Sequence, residues 1–94
     1  MESPERREEI YRQLGEELAL FLRAFAQIQR ERVSAERHMR RILSGAQKIG
    51  GTLLRDVEIL QGDFIRFLEQ PISHGLRDKI LRNALRIEHE VSKL

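Results

Sequence analysis

The chain has 94 residues, enough for one packed domain and too few for two, because a chain of this size buries only roughly 60 to 70% of its surface. Cysteine is absent, which excludes a disulfide framework and a thiolate metal site. Net charge is +2 but uneven: residues 30–55 hold seven cations against two acids, while residues 1–29 hold four against six and residues 56–94 six against seven.

Leu, Ile, Arg and Glu dominate and Pro occurs only twice, a composition that favours helix over sheet. The expected class is all-α: a single domain over residues 1–94, of helical-bundle or coiled-coil type. Met1 to Glu9 lacks the apolar run of a secretory signal. The stretch Leu18 to Phe25 is interrupted by Arg23 and falls far short of the ~20 residues of a membrane span. A cytoplasmic location is the expectation.

Ser3-Pro4-Glu5 is a helix start, with a side-chain acceptor, a proline suited to the first turn and an acid at the positive helix end. From Tyr11 the apolar positions run Leu14, Leu18, Phe21, Phe25 and Ile28, then Ala35, Met39, Ile42, Ala46, Ile49 and Leu53, in steps of three and four broken only by Arg32. Leu20, Leu22, Ala24 and Ala26 widen this stripe, so the segment is expected to meet more than one neighbour. Ser34 followed by Glu36 is a partial restart signal, incomplete because Arg37 stands where a capping box needs an acceptor. With no Gly or Pro between Gly15 and Gly45, the spacing predicts one rod over residues 4–49, a break near Val33 being the alternative.

Gly50-Gly51 ends that rod, since glycine weakens a helix and takes the left-handed conformation readily. Thr52 is then expected to cap a second helix over residues 53–70, in which Leu53, Val57, Leu60, Phe64 and Phe67 form one stripe and Leu54, Ile65 and Leu68 broaden it. Pro71 closes it, and Ser73 is expected to cap a third helix over residues 74–93 that carries Leu76, Ile80, Ala84, Ile87 and Val91.

Little here carries chemistry. His38, His74 and His89 are far apart, and only His74 has a carboxylate at helical spacing, Asp78, so neither a metal nor a cofactor is expected. Gly45 to Thr52 has the glycine spacing of a phosphate loop, but Gly51 occupies the lysine position and no strand precedes it. None of the serines or Thr52 sits at a spacing that marks an activated nucleophile, so no catalysis is expected. The run Leu43-Ser44-Gly45-Ala46 to Ile49-Gly50 resembles the segment after the phosphoacceptor histidine of histidine-phosphotransfer bundles. On that match the acceptor position falls on Arg40 or Arg41 and His38 is out of register, so the chemistry does not carry over. Ser73-His74-Gly75-Leu76 is similar to the entry to the last helix of all-α chorismate mutases, without the converging cations those enzymes need.

What remains is a basic stripe. Arg23, Arg30, Arg37, Arg41 and Lys48, spaced by seven, seven, four and seven, fall along one side of a continuous helix with Arg32 and Arg40 beside it, and Glu31 and Glu36 offset them in part. Such a row suits phosphates, acidic side chains or plain solvation. The phenylalanines lie on the apolar stripes and are expected in the core, where they stack no bases. A rod of residues 4–49 is roughly 68 Å long at 1.5 Å per residue, more than two shorter helices can cover. The expected function is therefore a non-catalytic assembly subunit, packing its seam (Leu14, Leu18, Phe21, Phe25, Ile28, Met39, Ile42, Leu60, Phe64, Phe67) in a homo-oligomer or against a protein partner. The alternative is a nucleic-acid-binding protein that uses Arg23, Arg30, Arg37, Arg40, Arg41 and Lys48.

Overall fold

The computed structural model describes residues 4–70 and 74–93. Four helices follow one another, α1 (Pro4–Ala26), α2 (Ile28–Ile49), α3 (Gly51–Glu69) and α4 (His74–Ser92), and no strand occurs among the described residues. The all-α expectation holds; the count of three helices does not. The expected rod of residues 4–49 is two helices, because Gln27 leaves helical geometry (φ −120°, ψ 43°) and Glu31 adds a kink (φ −112°, ψ 27°).

Neither Gly nor Pro causes this break. From Gln27 to Arg32 only Ile28 is apolar, so nothing holds a straight path there. Folding back instead closes Leu14, Leu18, Phe21 and Phe25 against the side of α2 that buries Ala35, Met39, Ile42 and Ala46. Each large apolar side chain so buried contributes roughly 1.5 to 3 kcal/mol. That outweighs the few hydrogen bonds interrupted at a bend, at ~0.5 to 1.5 kcal/mol each. Ser34, the expected restart, lies inside α2.

At the second joint Gly50 and Gly51 both have positive φ, 77° and 64°, the conformation for which glycine is suited. Here the expected cap is corrected: α3 begins at Gly51, ahead of Thr52, and has no side-chain cap. Ser3, Pro71 and Ser73, read as boundary residues, lie outside the described residues.

Each helix packs on two others: α1 and α3 both contact α2 and α4. Cross-helix contacts set the directions. Glu17 meets His38, and Leu14 lies against Gly45, so α1 and α2 are antiparallel. Asp63 meets Lys79 and Asp56 meets Arg86, so α3 and α4 are too. The result is an up-and-down four-helix bundle of 43 × 22 × 19 Å with a radius of gyration of 13.0 Å. Across its diagonal, Phe21 of α1 meets Phe64 of α3 edge-on at 5.2 Å between centroids, and Phe25 meets Phe67 at 5.0 Å. Ile10, Ala24, Val57, Leu60, Ile80, Ala84, Ile87 and Val91 complete the core. Of the proposed seam only Ile28 is half-buried; the others are fully buried. The seam that was expected to need a second chain is thus covered within one.

Candidate functional site

The basic row changes shape with the fold. Arg23 falls on the last turn of α1, so it no longer continues the row, and the kink at Glu31 sets Arg30 apart from the straight part of α2. At about 100° per residue, Arg37, Arg41 and Lys48 project within ~40° of one another, with Arg40 roughly 60° to one side, all turned away from the buried positions Ala35, Met39, Ile42 and Ala46. All six arginines and lysines of α2 are exposed. Arg30, Arg37, Arg40 and Lys48 have no carboxylate partner among the described residues, whereas Arg32 is held by Glu36 at 3.0 Å and Arg41 Nη1 lies 3.5 Å from Glu17 Oε1. The one large apolar side chain exposed on α2 is Val33, at 69%.

Glu17, on α1, also accepts a hydrogen bond from His38 Nδ1 at 2.8 Å, with both side chains largely covered. A histidine oriented by a carboxylate is half of a nucleophile-activating arrangement, but His38 contacts no hydroxyl among the described residues. What the pair does is pin α1 to α2. Beside it a cleft of about 260 Å³ sets Arg41, Ser44 and Lys48 of α2 against Gln13, Glu16 and Glu17 of α1, a lining whose charges largely offset one another. His74 and His89 are exposed, and no group of three or more metal-ligating side chains occurs among the described residues.

Two features escaped the sequence reading. Asp63 is the one buried charged side chain among the described residues, 3% exposed. Its Oδ1 accepts from Arg66, and its Oδ2 receives no directed hydrogen bond but lies 3.1 Å from Lys79 Nζ of α4. The signal was present, since Asp63 stands three residues after Leu60 and four before Phe67, on the edge of the α3 stripe. The second is at the bundle end where α1 gives way to α2. There Gln27, Gln29 and Arg30 share a cavity of about 600 Å³ with His74 and Arg77 of α4, over Phe67. No spacing in the sequence announces it, because it joins segments more than 40 residues apart.

The fold and its surface define a four-helix bundle with a closed core and one basic helix. No protein-family model matches the chain, and no curated protein and no solved structure is significantly similar to it. No helix among the described residues is long and apolar enough to cross a membrane.

Proposed function

We propose that this protein is a non-catalytic binding module that lays the outer face of α2 on a polyanion, and that the polyanion is a nucleic-acid duplex held by its phosphates. The supporting observation is that Arg37, Arg40, Arg41 and Lys48 share the face of α2 that the core does not use, three of them without a carboxylate partner among the described residues. They extend over ~17 Å at 1.5 Å per residue, long enough to reach more than one phosphate. Three of the four are arginines, whose planar fork suits phosphate oxygens.

The same face argues against a protein partner, one of the two occupants, with a second copy of the chain, that the sequence leads one to expect. Protein interfaces draw most of their affinity from a buried apolar or aromatic centre, and this face offers only Val33. Phosphate contacts need no such centre. Duplex is favoured over single strands because the four phenylalanines are all in the core, leaving none beside the cations to stack on bases. Homo-oligomerisation loses its ground as well, since the seam it rested on is buried in the chain.

Fluorescence anisotropy with a labelled duplex tests the reading. Affinity should fall as salt rises, with a log–log slope of about −0.9 per phosphate neutralised, and Arg37→Ala with Lys48→Ala should reduce that slope by nearly two such steps. Absence of binding at 50 mM salt, or a slope unchanged in the double variant, would refute it.

A further inference from the structure

We infer that the end of the bundle formed by the α1–α2 joint and the start of α4 is a binding site for a small organic phosphate, separate from the α2 outer face. The cavity there, about 600 Å³, is within the size range of small-molecule sites. Its polar lining among the described residues is one-sided: Arg30, His74 and Arg77 with the side-chain amides of Gln27 and Gln29, and no carboxylate. These donors come from two segments that meet only because the chain folds into a bundle.

Arg77 carries the argument. It is half-buried, yet it has no carboxylate partner among the described residues. The half-covered or buried acids Glu17, Glu36, Asp56 and Asp63 each meet a cation, Glu88 being the exception among the described residues, whereas Arg77 is the one Lys or Arg among them that is not exposed. A partly desolvated guanidinium without a counter-charge is costly unless an anion meets it. Two guanidinium groups, an imidazole and two amides offer more donors than one carboxylate accepts, and they suit the several oxygens of a phosphate monoester. The cavity is also much larger than a phosphate group, and Ala26, Ile28 and Phe67 are part of its lining, which leaves an apolar place for the organic part.

The test is an NMR titration of the isotope-labelled protein with phenyl phosphate, inorganic phosphate and phenol. Phenyl phosphate should shift the backbone signals of Gln27, Gln29, Arg30, His74 and Arg77 saturably, at least several-fold more tightly than inorganic phosphate, and phenol should not saturate. Arg77→Gln should weaken binding at least tenfold with the melting temperature held within a few degrees. If that variant does not fold, His74→Ala with Gln29→Ala, both exposed positions, should weaken it at least threefold. Arg37→Ala with Lys48→Ala should leave it unchanged, which separates this site from the duplex-binding face. Shifts that do not saturate, that centre on Arg37 and Lys48, or that survive Arg77→Gln would overturn the assignment, and so would phenol or inorganic phosphate binding as tightly as phenyl phosphate.

Discussion

Glu17 Oε2 and His38 Nδ1 lie 2.8 Å apart although 21 residues separate them. In a continuous helix the same two residues would be about 31 Å apart along the axis. The contact exists only because the chain turns back at Gln27, and that turn decides what the apolar seam does. With the seam closed inside one chain, the protein should run as a monomer. Light scattering at micromolar concentration should give a mass near 11.1 kDa, and small-angle scattering a compact particle rather than a rod. A dimer with an extended profile would show that the helices open and pair between chains.

The diagonal aromatic contact makes a second prediction. Phe21 and Phe64 are almost fully buried and meet edge-on. Truncating either to Ala should cost about 3 to 5 kcal/mol. The double variant should recover about 0.5 to 1.5 kcal/mol relative to the sum of the single costs, the usual coupling of an aromatic pair. Denaturant titration of the four proteins measures both; strict additivity would mean that the rings do not interact.

Two glycines inside helices should respond oppositely to alanine. At Gly62 an added Cβ meets nothing within 4 Å, so Gly62→Ala should gain the helix propensity difference of ~1 kcal/mol and raise the melting temperature. At Gly45 the same atom would sit 2.8 Å from Leu14 Cδ2 and 3.1 Å from its Cγ, and Leu14 is packed in the core. Displacing it costs about 1 to 3 kcal/mol, more than the propensity gain, so Gly45→Ala should be neutral to destabilising. Calorimetry of the two variants decides this; equal stabilisation by both would mean that α1 and α2 are farther apart than described.

Asp63 should behave asymmetrically with its partners. Arg66 and Lys79 have their charged ends half in solvent, so Asp63→Leu strands no buried charge and should change stability by less than about 1.5 kcal/mol. Removing both cations, Arg66→Ala with Lys79→Ala, leaves the carboxylate buried and alone and should cost about 3 kcal/mol or more. Urea melts at neutral pH check the order; a larger loss for Asp63→Leu than for the double variant would contradict it.

The sequence by itself determined that the chain is helical, that Gly50-Gly51 ends one helix and begins another, and which residues form the apolar stripes. These are local matters of propensity, positive φ and three-to-four spacing, and the boundaries of α3 and α4 came within two residues of their expected places. Tertiary structure alone decided the break at Gln27. No residue there forbids a helix, and the turn is favoured by burial of Leu14 to Phe25 against α2, a gain that exists only once the two halves meet. Everything that depends on that meeting was hidden in the sequence: Arg23 leaving the basic row, Glu17 reaching His38, and Arg30 joining Arg77 at one end of the bundle. Helical periodicity reports which face of a segment is apolar. It does not report which other segment covers that face, because the covering free energy belongs to the pair.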